Sequence, residues 1–197
     1  MGLRKTQRIP ENKIAILLTG QTLGGFREGG GIAMQGYDAI NRLIATYQIV
    51  PVLIGKLSKE AQSLINGPSI ALPFQETPED MARCYQAVDI TLVTSVVEAF
   101  GRVAAESQAC STPIVSFNTG GLAEVVLNEV GGLSVEKGDT EGLIAALRRM
   151  IENEDLRRQM GKQGVRYVVE NFEEGLIADQ YINLFRERAE DRHREKG

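Results

Sequence analysis

Two glutamates on either side of a glycine could bind the polar groups of one ligand. Glu98 follows the apolar run at residues 90–93, and Glu106 lies beyond Gly101. A buried strand that leads through a short loop into a helix leaves free backbone N–H groups, which suit a phosphate. Glu106 would lie about 7.5 Å beyond Gly101 along the helix axis. The spacing favours a ligand with hydroxyls at two places and a phosphate between them, such as a nucleotide sugar, although glutamate pairs also occur by chance.

A glycine-rich segment offers a second place for a phosphate. Residues 14–18 are continuously apolar, and five glycines lie between positions 24 and 31. The backbone of such a loop can approach a phosphate closely. It can equally be a flexible surface loop, and this segment alone favours neither interpretation. It lacks the Gly-x-Gly-x-x-Gly spacing that opens the helix of a dinucleotide-binding fold.

The composition is that of an ordinary globular protein and argues against several functions. The 197 residues are 43% hydrophobic and 24% charged, and the net charge of -4 indicates no basic surface for nucleic acid. Apolar runs such as residues 49–54 are too short for a transmembrane segment. Cys84 and Cys110 favour a reducing compartment, so we expect a cytoplasmic protein. Because the only histidine is His193, in the charged tail, no metal site is expected.

Short apolar runs alternate with amphipathic segments along the chain. This pattern predicts an α/β fold, with a doubly wound parallel six-stranded Rossmann-like sheet, helices on both faces and a C-terminal helical tail. Helix breaks are expected near residues 161–164 and 171–173. In such sheets ligands bind at the carboxyl ends of the strands, where the glycine loop and Glu98 both lie. The predicted strands are residues 14–18, 49–54, 70–74, 90–93, 113–117 and 133–135.

The spacing of several motifs resembles one enzyme family. Glu98 and Glu106 look like the E-x7-E signature of family 4 retaining glycosyltransferases of the GT-B fold. The resemblance continues through residues 109–115, 120–126 and 131–139, and the order of these pieces together is highly specific. It extends from about Lys13 to the final helix, but covers only the C-terminal, donor-binding half of such an enzyme.

The resemblance implies roles for individual residues. Glu106 matches the glutamate that holds the ribose hydroxyls. Glu98 matches the one that contacts the donor sugar and is a candidate catalytic residue. The donor would be a nucleoside diphosphate sugar, with no metal or other cofactor, and the departing diphosphate would have to be stabilised. The other substrate-binding candidates are Gly20, Gln21, Phe100, Gly101, Arg102 and Val103.

The sequence departs from the family near the diphosphate. Many relatives have an arginine and a lysine where this chain has Gln21 and Glu28. Arg27 keeps a positive charge in the glycine loop and is therefore the candidate catalytic cation. Arg102 either assists it or faces solvent, and the sequence leaves both open. Phe74 falls near the family's base-binding segment, but core packing is the favoured role.

The resemblance also divides the chain and implies a partner. Residues 1–12 resemble an interdomain linker, 13–171 the nucleotide-sugar-binding domain, and 172–197 a crossing helix with a charged tail. In the family an N-terminal domain binds the acceptor, so we expect such a domain in cis or in trans. In that fold the final helix would expose Leu176, Tyr181 and Phe185 towards it, although packing against their own domain is the default expectation.

Two alternatives remain beside a donor-binding half of an active enzyme. The chain could be a non-catalytic, split or degenerate module that acts with a separate acceptor domain, and Glu28 motivates that interpretation. A sugar-nucleotide epimerase of the same fold is less favoured, because it needs further catalytic acids and histidines that His193 does not supply.

Overall fold

A six-stranded parallel sheet forms the centre of the structure, a computed structural model that describes residues 3–23, 34–57 and 63–194. The strand order is β3-β2-β1-β4-β5-β6. The strands are β1 (Ile14–Leu23), β2 (Ile49–Leu57), β3 (Ile70–Leu72), β4 (Ile90–Val93), β5 (Ile114–Asn118) and β6 (Gly132–Glu136). The described helices are α1 (Leu3–Thr6), α2 (Met34–Ile44), α3 (Pro78–Ala87), α4 (Arg102–Ala109), α5 (Leu122–Val125), α6 (Thr140–Glu152), α7 (Glu154–Phe172) and α8 (Glu174–Arg194).

The continuous apolar run of β1 reflects burial on both faces of the sheet. Side chains alternate between faces along a strand. Ile16 and Leu18 belong to the core that includes residues of α2 and α6. Ala15 and Leu17 belong to the opposite core, with residues of α3. The predicted doubly wound sheet, with helices on both faces, is therefore confirmed.

The two strands that precede the candidate site residues are neighbours. β1 pairs in parallel with β4, with Ile16 opposite Ile90. From β1 the chain builds β2 and β3 on one side, and then returns to build β4, β5 and β6 on the other. The carboxyl ends of β1 and β4 thus lie side by side at the point where the strand order reverses, which is where ligands bind in such sheets.

The first strand is longer than its apolar run predicts. β1 continues to Leu23 and pairs with β2 as far as Leu57, with a shift of register between Gly20 and Thr22. Gly20 lies opposite Gly55 and Thr22 opposite Lys56, so Gly20 and Gln21 lie within the strand and not in a loop after it. In contrast, β3 ends at Leu72, since Pro73 has no N–H to continue the pairing.

Helix α7 runs without a break from Glu154 to Phe172, so the break expected near residues 161–164 is wrong. Its glycines serve close packing instead. A Cβ on Gly161 would lie 2.3 Å from the carbonyl oxygen of Ser111, and one on Gly164 would lie 3.2 Å from Cγ of Gln108. The second expected break is confirmed, because α7 ends at Phe172 and α8 begins at Glu174.

Capping residues set the start of two helices. Thr77 accepts a hydrogen bond from the backbone N–H of Asp80 at 3.1 Å, with Pro78 at the first helical position of α3. For α6, both Asp139 and Thr140 are residue types that commonly cap a helix. Asp139 is the cap, since its side chain accepts from the N–H of Gly142 at 2.8 Å.

The N-terminal segment is anchored to the sheet. Ile9 is 3% exposed, and Arg4 forms an ion pair with Asp89, which also accepts from the N–H of Ala15 at 2.7 Å.

The domain boundaries after residues 12 and 171 stay predictions. The glycine-rich segment with Arg27 and Glu28 lies outside the described residues, and so does Ser58, whose residue type suits the start of a helix.

Candidate functional site

A cleft of about 570 Å³ opens at the carboxyl ends of β1 and β4, between α3 and α4. Its volume is within the roughly 300–1,000 Å³ that small-molecule sites occupy. It lies at the switch point of the sheet, where the topology predicts a ligand site. Its lining includes Thr19, Phe74, Tyr85, Glu98, Arg102 and Glu106.

Glu98 reaches this cleft from a loop that is held by main-chain contacts. Its carbonyl oxygen accepts a hydrogen bond from the N–H of Gly121 at 2.9 Å. The next turn passes so close that a Cβ on Gly120 would lie 2.1 Å from that same oxygen. Thr119 adds a bond from its hydroxyl to the carbonyl oxygen of Val96 at 3.2 Å. Glycine at positions 120 and 121 is therefore what lets the two loops meet.

Gly101 turns the chain from this loop into α4. Its φ of 98° is left-handed, a conformation that favours glycine. A Cβ there would also lie 2.8 Å from Cδ2 of Leu122, which is fully buried. The predicted helix start near Gly101 is confirmed, and α4 begins at Arg102.

Glu106 reaches the cleft from the second turn of α4 and is held by side chains. The hydroxyl of Tyr85, on α3, donates to its Oε2 at 3.1 Å. Nε of Arg102, one helical turn earlier, lies 3.3 Å from its Oε1. Burial, together with the negative charge of Glu106, raises the pKa of Tyr85 far above its usual range, so this phenol stays a proton donor.

The other candidates near the helix start differ in where their side chains lie. Arg102 lines the cleft with a side chain that is 86% exposed, and its observed partner is Glu106. Val103 also lines the cleft. Phe100 is 44% exposed and packs edge-on against Phe172, with ring centroids 5.4 Å apart. Of the remaining candidates, Gly20 and Gln21 lie in β1 at the carboxyl end of the sheet.

Helix α3 contributes a wall that the sequence interpretation missed. Thr77, Met81 and Tyr85 follow at intervals of four residues, so they lie on one face of the helix, and all three line the cleft. This four-residue spacing, in a helix that follows a predicted strand, was the sequence signal from which the wall could have been predicted. Phe74 also lines the cleft and is 53% exposed, so the core-packing role favoured for it is wrong.

The charges of the described lining are mainly negative. Glu76, Glu98 and Glu106 are acidic, and Arg102 is the cation among the described lining residues. Within the described ranges, three or more metal-ligating His, Cys, Asp or Glu side chains are nowhere grouped closely enough to hold a metal ion. Of the helices described, none combines the length and apolar character that crossing a membrane requires.

The fold and the switch-point cleft are those of a Rossmann-like domain of the GT-B class, and comparison with known proteins identifies the family. The profile of the family described as glycosyl transferases group 1 matches residues 35–167, well over half of the chain. The chain therefore belongs to the group 1 glycosyltransferases, which confirms the resemblance stated from the sequence.

Individual relatives agree with this assignment. D-inositol 3-phosphate glycosyltransferase of Saccharomonospora viridis is 37% identical over 109 residues, which cover 55% of this chain and 25% of that protein. An uncharacterized glycosyltransferase of Methanocaldococcus jannaschii is 30% identical over 158 residues, 78% of this chain and 45% of the relative. The structure of sucrose-phosphate synthase from Thermosynechococcus elongatus superimposes with a TM-score of 0.77 and 25% identity, over 96% of this chain and 49% of that one. The chain thus spans less than half the length of each of these proteins.

Proposed function

We propose that this chain is the nucleotide-sugar-binding half of a retaining glycosyltransferase, which transfers a sugar from a nucleoside diphosphate to an acceptor. The observation that carries the proposal is the presence of Glu98 and Glu106 in one cleft at the switch point of the sheet. Two carboxylates at separate places along this cleft suit a donor with a ribose at one end and a hexose at the other.

In this proposal each carboxylate accepts hydrogen bonds from hydroxyls of the donor. Glu106 binds the ribose, and Glu98 binds the transferred sugar. A hydrogen bond to a charged acceptor contributes about 1.5–3 kcal/mol, more than one between neutral groups. The free backbone N–H groups at the start of α4, around residues 100–103, face the diphosphate. No metal or other cofactor is part of the proposal.

The diphosphate requires positive charge that the described lining largely lacks. Arg102 is suitably exposed, and a guanidinium matches the geometry of a phosphate. We assign the second cation to Arg27, in the glycine loop outside the described residues, with Gly20 and Gln21 in β1 leading towards that loop. Stabilising the leaving diphosphate in this way is the main catalytic contribution expected from the chain.

Calorimetry with UDP, GDP and ADP tests the proposal. We expect at least one of them to bind, and Glu106→Gln to weaken that binding roughly tenfold to a hundredfold, because one charge-assisted hydrogen bond is lost. Glu152→Gln is the matched control. Glu152 also accepts a hydrogen bond from a tyrosine, Tyr47, but it does not line the cleft.

Two results would overturn the donor-binding proposal. One is the absence of binding heat for all three nucleoside diphosphates. The other is equal weakening by Glu106→Gln and Glu152→Gln, which would mean that the cleft glutamate has no special part in binding.

A partner domain that binds the acceptor belongs to the same proposal. Helix α8 exposes Tyr181, Ile182, Leu184 and Phe185 to between 46% and 68%. A group of exposed apolar side chains close together on one helix is typical of an interaction surface. The partner would be linked in cis or supplied in trans, and in the second case this chain acts as a module without activity of its own.

Light scattering on the isolated chain tests whether this exposed face of α8 mediates association. We expect association that increases with concentration and is abolished by Phe185→Lys, the most exposed of the four residues. A monomer at every concentration would contradict the proposal that this face of α8 is an interaction surface.

A further inference from the structure

Tyr85 is a buried residue whose only side-chain polar group points at Glu106, the carboxylate proposed to bind the ribose. It is 1% exposed, and its hydroxyl donates to Oε2 of Glu106 at 3.1 Å. Its own backbone is fixed as well, because Thr112 donates from its hydroxyl to the carbonyl oxygen of Tyr85 at 2.8 Å. The tyrosine is therefore held on α3 by burial and by a buried hydrogen bond, independently of Glu106.

The two partners of Glu106 differ in how firmly they hold it. The Tyr85 ring is enclosed by the core that covers one face of β1 and β2, so the position of its hydroxyl is set by packing. Arg102 is 86% exposed and pairs with Glu106 across one turn of the same helix. Exposed pairs of this kind are weak and screened by salt, so an incoming ligand can displace the guanidinium.

We propose that Tyr85 is a positioning residue, which holds Oε2 of Glu106 so that the carboxylate meets the ribose hydroxyls of the donor. The inference rests on the proposed donor-binding function. Each carboxylate oxygen has two lone pairs. Oε2 can therefore accept from Tyr85 and from one ribose hydroxyl at the same time, while Oε1 exchanges Arg102 for the other hydroxyl.

The protonation state of Tyr85 suits this role. Burial first, and then the negative charge of Glu106, raise the pKa of the phenol far above its ordinary value. The hydroxyl is consequently a donor over the whole physiological range. A permanent donor at one oxygen orients the carboxylate in a single way, whereas a group that titrates would not.

The test compares ribonucleoside and deoxyribonucleoside diphosphates on the full chain. The probe is whichever of UDP, GDP and ADP binds most tightly, together with its 2′-deoxy and 3′-deoxy analogues. For the wild type we expect the ribonucleotide to bind at least about tenfold more tightly than the deoxy analogues, as one hydrogen bond to a carboxylate requires. Tyr85→Phe, which keeps the ring, is expected to reduce this preference to about threefold or less.

Tyr47→Phe provides the matched control. Tyr47 also donates its hydroxyl to a glutamate, Glu152, but it precedes β2 at the opposite end of the sheet. Its loss should leave the preference for ribose unchanged. Tyr85→Phe in the Glu106→Gln background should cause no further decrease in the preference, since Tyr85 acts through Glu106.

The outcomes separate the positioning role from a structural one. If Tyr85→Phe weakens ribonucleotide and deoxynucleotide binding by the same factor, or only lowers the melting temperature, the positioning role is wrong and donor binding stands. A further decrease in the double variant also overturns it. If the wild type binds no nucleoside diphosphate, the proposed function fails and this inference fails with it.

Discussion

Glu98 and Glu106 enter the same cleft, but the loop of Glu98 is held mainly by main-chain contacts, and the carboxylate of Glu106 is held by side chains. The loop of Glu98 lies against Gly120 and Gly121 at distances that leave no room for a Cβ. Glu106 lies on a regular helix and is oriented by Tyr85 and Arg102. The first arrangement depends on side chains being absent, and the second depends on side chains being present.

This difference predicts how each half of the site fails. A Cβ added next to the Glu98 loop has to move backbone on both sides, because a carbonyl oxygen cannot rotate away as a flexible side chain can. Removal of the Tyr85 hydroxyl leaves the backbone unchanged and alters only the orientation of one carboxylate. We therefore expect changes on the Glu98 side to affect folding, and conservative changes on the Glu106 side to affect ligand preference.

The largest expected effect is that of Gly120→Ala. The new Cβ would lie 2.1 Å from the carbonyl oxygen of Glu98, and φ at this position is 49°. Left-handed strain costs about 1–2 kcal/mol for a residue with a Cβ, and the backbone clash adds to it. The free energy of unfolding should fall by about 3 kcal/mol or more, as measured by urea denaturation.

Gly138→Ala is the control for the strain alone. Gly138 has φ of 85°, but no heavy atom lies within 4 Å of where its Cβ would be. In the Gly138→Ala variant the free energy of unfolding should fall only by the cost of the left-handed backbone, about 1–2 kcal/mol. Equal losses in the two variants would show that the close approach of residues 98 and 120 contributes nothing.

Much of this arrangement could be predicted because it depends on local pattern. The buried run at residues 90–93 and the glycine before Arg102 predict a strand, a loop and a helix start, and the structure confirms all three. The adjacency of β1 and β4 follows from the usual order of doubly wound sheets. These features need only periodicity, turn chemistry and the rules of chain connection.

What could not be predicted depends on contacts between distant parts of the chain. Gly161 has the sequence signature of a helix break, and only the approach of Ser111 shows that it is a packing glycine. Tyr85 has the sequence signature of an ordinary core residue. Only the structure shows that its hydroxyl donates to Glu106, 21 positions away in the sequence. The sequence pattern shows which residue type occupies such a position. It does not show which distant residue the side chain contacts, and that contact determines its role.

A smaller effect should appear at alkaline pH, from the helix α3 that carries Tyr85. Burial raises the pKa of the Cys84 thiol, next to Tyr85, from 9.0 to about 11. Above pH 9 the unfolded chain therefore loses this proton while the folded chain keeps it, so a rise in pH favours unfolding. The free energy of unfolding should fall by up to about 1.4 kcal/mol per pH unit between pH 9 and 11 from this group. Cys84→Ala should make that decline shallower, whatever stability it costs at pH 7, whereas an unchanged slope would mean that the thiol does not contribute.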